Sequence, residues 1–232
     1  SWHPTEGSYD ITAMLVGTTL IAGGAVLLAT PLGVLAALFC RFYAPPRLAA
    51  AYGRMIEVLA GIPSVIYGLW GLMVLVPLIG KLSPPGPSLL VGVLILALMI
   101  LPTIALFADA AFGAVPEAYL QGAAALGLSR WGTIRGVVLP AARGGVMTGV
   151  VLGAGRAIGE TMAVLMVCGN VVQIPGSAFD PVRPLTSNIA LEMGYALGDH
   201  RSALFVSALG LMLLVVALVA VAELTSRERI YG

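Results

Sequence analysis

Two residues in this chain can handle a charged solute where charge is expensive. Arg156 and Glu160 stand four apart in GVMTGVVLGAGRAIGETMAVLMVCGN, residues 145–170, and between Gly144 and Asn170 only Cys168 is otherwise ionisable. A charge at the centre of a bilayer costs at least ~2.5–3.5 kcal/mol, so such residues mark a solute, a proton or a partner charge. Arginine points to an anion, because its planar fork of donors matches oxyanion oxygens. Glu160 can hold that fork when no anion is bound, which keeps the site from binding too tightly for transport. The same spacing also allows a self-neutralised structural pair within one helix. Both readings stand at this level.

The element that positions them reads as a helix with a small-residue ridge. At about 100° per residue, Arg156 projects within ~20° of Gly145, and Gly149 and Gly153 lie at ~40° and ~80°. Such ridges let helices approach closely, so this face is expected against another helix or an internal cavity. A second candidate is Ile62-Pro63-Ser64. Pro63 inside an apolar run frees the carbonyl of Leu59, which Ser64 or a neighbouring helix can satisfy. Ser64 and Thr161 are therefore small polar candidates for lining a path, while Tyr67 and Trp70 read as packing residues. Asp109 and Glu57 read as solvated groups near an interface.

Composition sets the class. Apolar residues make up 59% of 232 and charged residues 10%, with mean hydropathy +1.00; soluble domains carry about 25% charged residues. Spans of about 20 residues are expected near 11–40, 55–80, 88–113, 144–169 and 202–224. The prediction is an all-α, polytopic membrane protein with five transmembrane helices and one domain over 1–232. Eight of the 12 basic residues fall in three segments: Arg41, Arg47 and Arg54; Arg130, Arg135 and Arg143; Arg227 and Arg229. Lys81, Arg183 and Arg201 fall opposite. The positive-inside rule puts the first group in the cytoplasm. A net charge of +1 suggests no nucleic-acid partner. Cys40 and Cys168 fall on opposite sides, which argues against a disulfide. The polar start, with Ser1 in place of an initiator Met, suggests an upstream signal or span. His3 and His200 have no metal-ligand spacing.

The inner loop at 116–143 is the other informative stretch. Pro116 and Glu117 suit a helix start, Gly127 a helix end, and Pro140 is expected to end a second short helix. Its length and small residues suit a knob that docks into a partner's groove, or an amphipathic loop lying on the headgroups. Gln121-Gly122-Ala123, then Gly127, then Val137 and Leu139-Pro140 resemble the EAA motif of ABC-importer permeases, with Gln for Glu, Gly for Ala and Val for Ile. EVLAGIPSVIYG (57–68) resembles the second-span signature of phosphate-specific permeases. GRAIGETMAV (155–164) is similar to their G-R-A-x-G-E-T segment, and PLTSNIALEM (184–193) to an outside loop of PstC-type subunits. The resemblance covers about 11–224, and the family normally has one more N-terminal span.

This resemblance implies a type I ABC importer permease core, MetI-like, in the inner membrane. It implies a PstA-like second permease, a PstB-like ATP-binding dimer, a PstS-like phosphate-binding protein outside, and phosphate as solute. Glu117, Gln121, Gly122, Ala123, Gly127, Leu139 and Pro140 would couple to the ATPase, and Arg156, Glu160, Ser64 and Thr161 would line the path. The outside loop 170–201 would carry some helix. With 81–87 and the N-terminal ten residues it would meet the binding protein, Thr186, Ser187 and Asn188 being candidates. Other oxyanions (molybdate, tungstate, sulfate), a PstA-type subunit, or an ion-coupled carrier remain alternatives. The sequence carries no G-x-x-x-x-G-K-[ST] loop and no hydrolase motif, so no enzyme activity, metal or cofactor is expected.

Overall fold

The computed structural model describes residues 2–227; Arg229, counted among the inner basic residues, lies outside them. After a two-stranded hairpin, Trp2–His3 (β1) with Ser8–Tyr9 (β2), the described chain is helical. In order come α1 (Thr12–Phe42), α2 (Pro46–Gly61), α3 (Ser64–Trp70), a π turn (Gly71–Leu75) and α4 (Val76–Gly80). Then follow α5 (Leu89–Gly113), α6 (Glu117–Ala125), α7 (Arg130–Thr133), a second π turn (Ile134–Val138) and α8 (Leu139–Gly159). The chain closes with α9 (Met162–Val167), α10 (Leu185–Glu192) and α11 (Gly198–Arg227).

Four continuous helices are long and apolar enough to cross a bilayer: Thr12–Phe42, Leu89–Gly113, Arg130–Gly159 and Gly198–Ala220. The fifth is broken: Pro46–Gly61 and Ser64–Gly80 meet at 94°. Among the described residues the chain thus has four spans by length and composition, or five if the bent pair counts as one.

α5 is the hub, with α1 and α8 packed on it. Its fully buried Ile95, Leu96, Ile100 and Ile104 sit in a core with Ile21, Ala25 and Ala29 of α1 and Ala157 of α8. The ridge on α8 meets α5 as its spacing predicts. Cβ atoms built at Gly145, Gly149 and Gly153 would lie 2.6 Å from Ala111, 2.5 Å from Phe107 and 3.2 Å from Ile104. Residues at one end of the bundle, Ala37, Leu38, Phe112, Val115 and Ile134, form a second cluster. The connections that carry the arginine-rich segments Arg41–Arg54 and Arg130–Arg143 leave from that end, as the charge pattern requires. We call it the inner end. The outer end joins Leu185 to Thr18 of α1 and Leu89 to Asp180.

One expectation is corrected here. Pro140 does not end a helix: helix runs unbroken from Arg130 to Gly159. Proline lacks an N–H and is tolerated in a first turn, and the π turn at Ile134–Val138 loosens the ladder just before it, so the chain passes through Pro140 into α8.

Candidate functional site: two broken helices around Arg156

The helix carrying Arg156 stops before Glu160. α8 ends at Gly159, Glu160 takes extended φ −69°, ψ 129°, and α9 begins two residues later. This corrects the reading of one continuous helix through 144–169, and with it the expected Arg156–Glu160 pair. Helical spacing no longer brings the two side chains together, and among the described residues Arg156 makes no ion pair. Glu160 has other work: its Oε1 accepts from Ala163 N at 3.1 Å, capping α9 as Asp or Asn caps other helices. Thr161 Oγ1 donates to Gly159 O at 3.4 Å. Thr186 Oγ1 donates to Glu160 O at 2.8 Å. Backbone groups freed inside a membrane must find such partners.

The second break lies beside the first. Ile62 and Pro63 are extended, with ψ 128° and 141°. The carbonyl of Leu59 accepts from Ile62 N at 3.3 Å and from the Tyr67 hydroxyl at 2.8 Å, and not from Ser64. Tyr67 is 5% exposed, so it is more than the packing residue its sequence suggested: it staples the break. A Cβ at Gly68 would lie 2.8 Å from Ala163 Cα, which fixes α3 and α9 side by side and the two breaks at similar depth. Arg156 stands in the last turn of α8, just before the break at Glu160.

Arg156 is exposed on the surface of the single chain, and Glu160, Thr161 and Ser64 are half-buried. The arrangement is a free guanidinium beside two interruptions. It can attract an anion; among the described residues no carboxylate neutralises it.

The inner knob forms as its sequence predicts. α6 spans Glu117–Ala125, and Gln121 Nε2 donates to Glu117 Oε1 at 3.3 Å. Gly127 has φ +69°. Gly127 N donates to Ala124 O at 3.0 Å and Leu128 N to Ala123 O at 3.1 Å, which is a Schellman end. Ala123 is buried beneath it, whereas Tyr119, Leu126 and Trp131 are exposed, leaving an apolar tip. Gly122 has open space around it. Leu139 is half-buried, packed on the inner cluster.

The outer end holds a polar cluster that sequence reasoning missed. Glu192, 6% exposed, accepts from Trp2 Nε1 at 2.7 Å and Arg183 Nη1 at 2.9 Å. It also meets His200 Nε2 at 2.8 Å. Thr186, Ser187 and Asn188 are buried, which corrects their expected place on an accessible docking surface.

Comparison with known proteins follows the same outline. Residues 29–227 match the family described as binding-protein-dependent transport system inner membrane component, and the chain belongs to that family. It is a multi-pass inner-membrane permease of ABC-transporter type. It is 40% identical, over 99% of its length and 77% of the relative's, to the probable ABC transporter permease protein YqgH of Bacillus subtilis. It is 37% identical to the phosphate transport system permease protein PstC of Mesorhizobium japonicum, over 96% of this chain and 74% of that one. The PstC of Haemophilus influenzae is also 37% identical, over 93% and 74%. Among solved structures, the inward-facing MetNI methionine ABC transporter superposes with TM-score 0.71 at 19% identity, covering 94% of this chain and 93% of that one. A bacterial ABC transporter for the acidic polysaccharide alginate gives 0.72 at 15% identity, covering 99% and 82%. These structures share the fold.

Proposed function

We propose that this chain is a PstC-type permease subunit of an ATP-driven importer of inorganic phosphate, and that it lines half of the path. The observation that carries this reading is the unneutralised Arg156 at the junction of two broken helices. It is supported by relatives named phosphate transport permeases over nearly the whole chain. Phosphate is a compact oxyanion, and a guanidinium fork can engage two of its oxygens at once. Ser64 and Thr161 supply hydroxyls near the same junction. Glu160 tethers α9 and so fixes where the path narrows.

The other half of the path comes from a PstA-like subunit. The α6 knob, with Glu117, Gln121, Gly122, Ala123 and Gly127 and the Leu139-Pro140 step behind it, docks on a PstB-like ATPase dimer. That dimer hydrolyses the ATP. A PstS-like binding protein delivers phosphate at the outer end. The test is radiolabelled phosphate uptake by the reconstituted complex, with unlabelled sulfate and molybdate as competitors. Uptake that needs ATP and Arg156 and resists both competitors supports the proposal. Equal competition by molybdate would reassign the solute.

A further inference from the structure

A cavity of about 300 Å³ opens at the inner end between α1, α2 and α5, lined in part by Cys40, Arg41, Tyr52, Ile56, Leu106 and Asp109. It lies far from Arg156, in sequence and in depth. Its polar groups are only partly used. Arg41 Nη1 donates to Asp109 Oδ1 at 3.1 Å and to the Asp109 carbonyl at 3.5 Å, and among the described residues its fork meets no other acceptor. Among the described residues nothing donates to Asp109 Oδ2. The Tyr52 hydroxyl is buried and has no hydrogen-bond partner. A buried hydroxyl without a partner is costly, so this one calls for a ligand. The cavity thus offers spare cationic donors, a spare anionic acceptor and a neutral hydroxyl, above walls that include Ile56 and Leu106.

We infer that this cavity binds the headgroup of a zwitterionic phospholipid of the inner leaflet, with the phosphate on Arg41 and Tyr52 and the ammonium on Asp109. Three observations select this class. Arg41 and Asp109 lie near the inner ends of α1 and α5, where the positive-inside reading puts the cytoplasmic leaflet. The pair is neutral overall, so a free phosphate dianion would meet Asp109 as well as Arg41, whereas a group carrying both charges satisfies both. Met55, Leu106 and Phe107 on the same helices are exposed and offer apolar surface to acyl chains beside the cavity.

Cys40 provides the reporter. It lines the cavity and is partly exposed, while Cys168 is buried. The labelling rate of Cys40 by N-ethylmaleimide, read by peptide mass spectrometry on the assembled complex, therefore follows occupancy. The complex is compared in nanodiscs of phosphatidylglycerol alone and of phosphatidylglycerol with phosphatidylethanolamine, each with and without inorganic phosphate. The expected result is several-fold slower labelling with phosphatidylethanolamine, no effect of phosphate, and loss of the protection in Tyr52→Phe and in Asp109→Asn. Protection by inorganic phosphate in phosphatidylglycerol alone would show a free-anion site and overturn the assignment. Equal rates in the two lipid mixtures would overturn it too, as would protection that survives both substitutions.

Discussion

Arg156 and Glu160 do different jobs, and substitutions should separate them. Arg156→Ala removes the positive charge of the junction without touching a hydrogen bond, so the complex should assemble and lose most phosphate uptake. Glu160→Gln keeps a carbonyl oxygen for Ala163 N and should assemble; Glu160→Ala loses the cap, at about 1 kcal/mol. The double variant Arg156→Ala/Glu160→Ala is decisive: recovery of uptake would make Arg156 a structural partner of Glu160 after all. Tyr67→Phe deletes the staple at Leu59. It should destabilise the permease by about 0.5–1.5 kcal/mol, seen as a lower melting temperature in detergent, with slower uptake at unchanged ATPase binding.

Among the elements, α8 and the knob make the clearest contrasts. A side chain at Gly149 would collide with Phe107, so Gly149→Val should push α8 off α5, cost about 1–3 kcal/mol and lower the yield of assembled complex. Gly155 has open space around it in a helical conformation, and Gly155→Ala should leave stability equal or higher by up to about 1 kcal/mol. Gly127 also has open space, but its φ of +69° makes any Cβ strained. Gly127→Ala should cost about 1–2 kcal/mol and uncouple ATP hydrolysis from uptake, while Gly127→Asn, which tolerates that conformation, should retain coupling. Equal behaviour of the Ala and Asn variants would sink the backbone argument. Local features of this kind were legible in the sequence: the glycine ridge, the Gly127 end, the proline break at Ile62-Pro63. The break at Glu160 was not, because no proline marks it and Gly159 is one of six glycines between 144 and 159, the others of which stay helical. It is held open by Glu160's own carboxylate and by Thr186, a partner 26 residues away. Glu192 escaped for the same reason: its partner Trp2 is 190 residues distant.

For the whole molecule, the two arginine-rich ends fall together, which ties orientation to one measurement. Cysteines introduced at Lys81 and Arg130 should be labelled by a membrane-impermeant reagent from outside and inside respectively. The same layout has a mechanical consequence in the unbroken rod from Arg130 to Gly159. The middle of its three glycine contacts with α5, Gly149 against Phe107, is the natural place for it to pivot under the proposed coupling. At 1.5 Å per residue, the arm towards the docking knob is roughly 28 Å and the arm towards Arg156 roughly 10 Å. The rod is therefore a reducing lever, trading travel for force by nearly threefold on this estimate. On the proposed docking of the knob on an ATPase, a displacement of about 3 Å there would become about 1 Å at the guanidinium, opposite in direction. A shift of that size is enough to spoil a well-oriented contact, so a modest tilt below can release an anion above while the bundle around α5 keeps its packing.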